Sequence, residues 1–72
     1  MKINVEIKED SIEIGQLIKK LGLVSTGGQV KYFMSNNKVL INNKIPTGRS
    51  TKVHPDDIIW INDDLIKINE VK

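Results

Sequence analysis

The chain has 72 residues, 39% of them hydrophobic but only three of them aromatic, and carries a formal net charge of +2. That length suits one domain with one modest core, which Ile, Leu and Val have to build. The lack of cysteine excludes disulfides and thiolate-zinc sites and makes a reducing interior the natural compartment. No apolar run approaches the ~20 residues of a membrane span, and the opening MKINVEIKED has no apolar signal core, so a soluble, cytoplasmic protein is expected.

Ile3, Val5 and Ile7 alternate with Asn4, Glu6 and Lys8, the period of a half-buried strand. Asp10 with Glu13 forms a D-x-x-E capping pattern, with Ser11 as the alternative cap. Ile14, Leu17, Ile18 and Leu21 then recur at helical spacing, and Gly22 supplies a left-handed stop. Lys19 and Lys20 fall off that stripe, on the solvent side. Leu23-Val24-Ser25 joins this helix to a second, so the two should pack as a compact corner. The second helix opens at Thr26, whose T-x-x-Q spacing to Gln29 is another capping box, with Gly27 and Gly28 in its first turn. Val30, Phe33 and Met34 provide its buried face, while Lys31, Tyr32 and Ser35 point sideways or outward. Asn36-Asn37 can end it, since Asn tolerates the left-handed conformation.

From Lys38 onward the period changes to two. Val39–Ile41 and Lys44-Ile45 flank Asn42-Asn43, a tight hairpin turn. Thr47 to Lys52 reads as an exposed basic loop and His54-Pro55-Asp56 as a turn. Ile58–Ile61 and Leu65–Ile68 form a second hairpin around Asn62-Asp63-Asp64. The expected fold class is α+β, with two consecutive helices packed on a small, mainly antiparallel sheet in the order β-α-α-β-β-β-β. One domain should cover residues 1–72, with the Ile3–Ile7 strand beside the carboxyl-terminal strands. Phe33 is assigned to the core and Trp60 to the core or a sheet edge.

Charge is divided as sharply as structure. Between Ile14 and Pro55 there is no acidic residue, yet Lys19, Lys20, Lys31, Lys38, Lys44, Arg49 and Lys52 all lie there. That stretch carries +7 and the two flanks together −5. A strongly positive side concentrates polyanions by attraction and counterion release, and nucleic acid is the usual polyanion. Lys2 and Lys72 lie outside the stretch and serve as comparison charges.

Four pieces in order then resemble the S-four RNA-binding domain, the alpha-L motif. They are Leu17-Ile18-Lys19-Lys20-Leu21-Gly22, Thr26-Gly27-Gly28-Gln29-Val30-Lys31, Val39-Leu40-Ile41-Asn42-Asn43 and Val53-His54-Pro55-Asp56-Asp57-Ile58. The core motif spans about residues 12–59, and the T-G-G-Q-x-K helix start is most similar to the stand-alone YaaA-type members. Many members carry Arg after the helix cap, where this chain has Gly27; Asn43 and Asp56 replace turn glycines, which Asn and Asp can do. The resemblance implies a non-catalytic protein that grips structured RNA, with ribosomal RNA or an assembly intermediate as its target. It also implies that Lys38, Arg49 and Lys52 come near the second helix.

The candidate RNA-contacting residues are Lys20, Thr26, Gly27, Gly28, Gln29, Lys31, Tyr32, Lys38, Arg49 and Lys52. Unpaired N–H groups at a helix start and its dipole favour an anion, and Gly27-Gly28 leave a phosphate room to approach. The bland alternative is that these glycines only allow close packing against the loop from Thr47 to Ser50. Lys31, one turn on, would reinforce a phosphate site, and the Arg49 guanidinium suits a bidentate contact. Tyr32 could stack on an unpaired base, whereas Lys44 at the hairpin tip reads as a solubilising charge. Catalysis has little support: His54 is the lone histidine, no serine has a recognisable base partner, and His54 with Asp56 and Asp57 in a proline turn is a poor metal site. A monomer without cofactor or membrane contact is expected. A module docking on an acidic protein surface is the alternative, and a DNA binder ranks below it for want of a long recognition helix.

Overall fold

The computed structural model describes residues 1–71; Lys72 lies outside them. In chain order they form strands β1 (Lys2–Ile7) and β2 (Ile12–Glu13), then helices α1 (Ile14–Lys20) and α2 (Gly27–Asn36). Strands β3 (Val39–Ile41), β4 (Lys52–Val53), β5 (Ile58–Ile61) and β6 (Asp64–Glu70) follow. The main sheet has the order β1-β6-β5-β3, with β1 parallel to β6 and the other neighbours antiparallel. β2 and β4 pair separately as a short antiparallel ladder.

Alternation along the strands sends Val5, Ile7, Val39, Ile59, Ile61, Ile66 and Ile68 to one side of the sheet, where they meet Ile14, Leu17 and Ile18 of α1 and Val30 of α2. None of these is more than 6% exposed, and among the described residues no polar side chain is buried with them. Each such burial stabilises by roughly 1.5–3 kcal/mol before the cost of ordering the chain. The fold is therefore α+β, with both helices on one face of the sheet. No helix among the described residues is long and apolar enough to cross a membrane.

Local chemistry explains several turns. Gly22 adopts φ +77°, its N–H donating to the Lys19 carbonyl and that of Leu23 to the Ile18 carbonyl, a Schellman ending for α1. Asn42 and Asn43 both take positive φ, the backbone of a type I′ hairpin turn. The asparagines also join segments. Asn62 accepts from the Lys38 N–H and donates to the Asn37 side chain, while Asn42 accepts from the Ile58 N–H.

Other expectations need correction. α1 starts at Ile14, and neither Asp10 nor Ser11 caps it; Glu13 is the N-cap, with no side-chain bond. Pairing with β4 holds Ile12 and Glu13 extended, so the D-x-x-E residues never enter helical register. α2 does not end through a left-handed Asn: Asn37 is extended at φ −133°. Instead the Asn36 and Asn37 side-chain amides donate to the Tyr32 and Phe33 carbonyls, both at 2.9 Å. Lys44-Ile45 is no strand, only one bridge from Lys44 to Ile41, and Ile45 is 81% exposed. Lys52-Val53 supplies a strand where a loop end was expected. Phe33 is only half-buried against the core. Trp60 lies on an interior strand but faces away from the helices, between Leu40 and Leu65.

Candidate nucleic-acid interface

α1 decides where Arg49 sits. The Ile14 and Gly15 N–H groups donate to the Thr51 and Arg49 carbonyls at 2.8 and 3.0 Å, so the helix start is satisfied by the loop backbone. Gly15 is buried, and a Cβ there would lie 3.1 Å from the Arg49 carbonyl oxygen and 3.3 Å from Val30 Cγ1. Glycine therefore lets α1, α2 and this loop approach as closely as they do. The loop is also closed on itself, since the Thr51 N–H donates to the Gly48 carbonyl and the Gly48 N–H to Thr51 Oγ1. From this pinned backbone the Arg49 side chain reaches the first turn of α2, where Nη1 donates to the Gly27 carbonyl at 3.1 Å.

The start of α2 is open. Thr26 is its N-cap, extended and without a side-chain bond; the Gln29 side chain accepts from the Ser25 N–H rather than from Thr26. Neither Gly27 nor Gly28 has positive φ. A Cβ on Gly27 would meet only Arg49 Nη1 at 3.8 Å, and one on Gly28 would meet nothing within 4 Å. Close packing against the loop thus requires glycine at Gly15, not at Gly27 or Gly28. Their N–H groups have no intrahelical acceptor, and the helix dipole adds a partial positive charge beside Arg49.

Arg49 separates two recesses. On the α2 side, a groove is lined by Gly28, Lys31, Met34, Ser35, Val39, Ile45, Pro46, Gly48 and Arg49. On the α1 side, a smaller one is lined by Glu13, Gly15, Gln16, Lys19, Gly27, Val30, Arg49 and Ser50. The fold thus brings together Gly27, Gly28, Lys31 and Arg49, with exposed Thr26 and Gln29 next to them. Lys52 lies apart, lining a third recess with Lys44, His54 and Asp57. Lys20 turns the other way and donates to the Glu6 carbonyl at 3.1 Å. Lys38 sits at the entry to β3, tied by its backbone to Asn62. Tyr32 is 73% exposed and lines none of these recesses.

Lys19 and Gly15 were missed by the sequence reading. Both lysines at the end of α1 leave the apolar stripe, and only the docking of the second helix shows that Lys19 is the one beside Gly27. The fold also brings in Glu13, a carboxylate from outside the acid-free stretch. Among the described residues the ion pairs are Met1–Asp64 and His54–Asp57, so none of the seven cations of the stretch is paired with a carboxylate. No group of three or more His, Asp or Glu among them converges as metal ligands.

Two helices forming a corner on one face of a mixed sheet, with a cationic edge where the second helix meets the loop before β4, define an alpha-L architecture. The family model for the S4 domain matches residues 5–69. The chain belongs to that family. It is 30% identical over 57 residues to the probable ribosome maturation protein RlbA of Bacillus subtilis (strain 168), the match covering 79% of this chain and 80% of the relative.

Proposed function

We propose that the protein is a non-catalytic RNA-binding monomer that grips structured RNA at the edge where the start of α2 meets the loop carrying Arg49. The observation that carries this reading is the Arg49–Gly27 contact, which seats a guanidinium at a helix start left open by two unencumbered glycines. A phosphate there would accept from the Gly27 and Gly28 N–H groups and from Arg49, with Lys31 and Lys19 on either side. Family membership supports RNA as the polyanion. The ribosome maturation relative supports ribosomal RNA or an assembly intermediate as the target.

Among the described residues these cations make no ion pair, so binding breaks none, and Glu13 is the one carboxylate lining the recess beside Lys19 and Arg49. Specificity for RNA follows from A-form shape and from unpaired bases, which a duplex of DNA does not offer. Affinities for a bulged RNA hairpin and for a DNA duplex of equal length, measured side by side, test the reading. Preference for the RNA is expected, and equal affinity for the two would overturn it.

A further inference from the structure

We infer that the groove between α2 and residues 45–49 holds one unpaired nucleotide of the bound RNA, base inward and phosphate at the rim; this rests on the RNA reading above. The groove, open to solvent along one side, has a volume of about 550 Å³, within the roughly 300–1,000 Å³ of sites that take small molecules. Its apolar lining comes from Met34, Val39, Ile45 and Pro46, and its cations are Lys31 and Arg49. No carboxylate lines it. The occupant must therefore combine an apolar surface with a nearby anionic group.

Ile45 sharpens the requirement. It is 81% exposed because the chain leaves the sheet after the Asn42-Asn43 turn, and Pro46 has no N–H with which to continue a ladder. A single exposed Ile needs no explanation by itself. This one forms a wall of a groove that ends on two cations.

Paired RNA presents phosphates and hydroxyls outward and keeps its bases stacked, so it cannot fill an apolar slot. A splayed nucleotide presents a flat apolar face with a phosphate attached, and the polarisable Met34 sulfur is a favourable neighbour for such a ring. Ser35 at the groove edge offers a hydroxyl to the base rim. Tyr32, off this groove, takes no part in holding that base.

Three RNA hairpins of one sequence test the pocket: one with a single-nucleotide bulge, one abasic at that position and one fully paired. The bulged hairpin should bind about tenfold more tightly than the abasic one, the scale set by burying roughly 50 Å² of base face. It should also shift the methyl NMR signals of Met34, Val39 and Ile45, which the abasic hairpin should leave in place. Ile45→Ser, at an exposed position, should abolish the difference while binding of the paired hairpin stays unchanged. Equal affinity for bulged and abasic hairpins overturns the nucleotide pocket and leaves the phosphate-binding edge standing. Failure of all three to bind overturns the RNA reading itself. If an acidic, leucine-bearing peptide moves those methyls and the bulged hairpin does not, the groove is a peptide site and the inference falls.

Discussion

Gly28 separates the demands of stability from those of binding. A methyl group there touches nothing within 4 Å, and the backbone has no positive φ, so the protein itself gains nothing from glycine. Gly28→Ala should raise stability by about 0.5–1 kcal/mol in urea unfolding, because alanine loses less backbone entropy in a helix. The same variant should weaken RNA binding several-fold if a phosphate rests against that backbone. Unchanged affinity would place the phosphate elsewhere. Charge reversal probes the neighbouring side chains. Lys31→Glu with Arg49→Glu should weaken RNA binding by well over tenfold while stability changes little, about ±0.5 kcal/mol for each exposed site. Lys2→Glu with Lys67→Glu is the control, since Lys2 and Lys67 lie on strands that form no part of this edge. Equal losses in the two pairs would mean diffuse attraction and no defined face. At this scale the sequence made Gly27, Gly28, Lys31 and Arg49 visible through residue type and spacing. It could not separate Lys19 from Lys20, because both lie off the apolar stripe and only packing distinguishes them.

Elements were legible wherever their signals are local. The stripe Ile14, Leu17, Ile18, Leu21 and the stop at Gly22 describe α1 well, and Asn42-Asn43 forms the turn its residues favour. Gly22→Ala tests the helix ending cleanly. A Cβ at that site meets nothing within 4 Å, so the expected loss of about 1–2 kcal/mol comes from the left-handed backbone alone. Thermal unfolding that is unaffected by this change would show that the Schellman turn can relax without cost. Local signals misled at the start of α1. The Asp10–Glu13 capping pattern was present, but the β2–β4 ladder and two bonds to the 49–51 backbone took over the role a cap would have played. Tertiary hydrogen bonds outweighed a propensity worth about 1 kcal/mol.

Across the described residues of the whole molecule, none of the cations of the acid-free stretch forms an ion pair, although Glu13 shares a recess with Lys19 and Arg49 and Asp57 one with Lys44 and Lys52. Contact with about three to five phosphates should make log affinity for structured RNA fall with log salt at a slope of roughly −2 to −5. Titrations at four or five salt concentrations measure it, and a flat response would contradict a phosphate-gripping edge. Lys31→Glu with Arg49→Glu should flatten the slope by roughly two, one for each phosphate contact removed.

By itself the sequence determined the inward face of α1 and of the strands it recognised, the turns at Gly22 and Asn42-Asn43, and the cationic middle. Those properties depend on side-chain period, on the φ tolerance of Gly and Asn, and on composition, all carried by residues close together in the chain. Only the tertiary structure decided that β1 runs parallel to β6, that Ile12 and Glu13 pair with Lys52 and Val53, and that Trp60 faces away from the helices. It also decided that Arg49 reaches Gly27, because that contact depends on Gly15 letting the backbone around Arg49 approach within hydrogen-bonding distance of α1. Each of these joins segments far apart in sequence, where small differences in packing between distant surfaces choose the outcome and no local pattern records it.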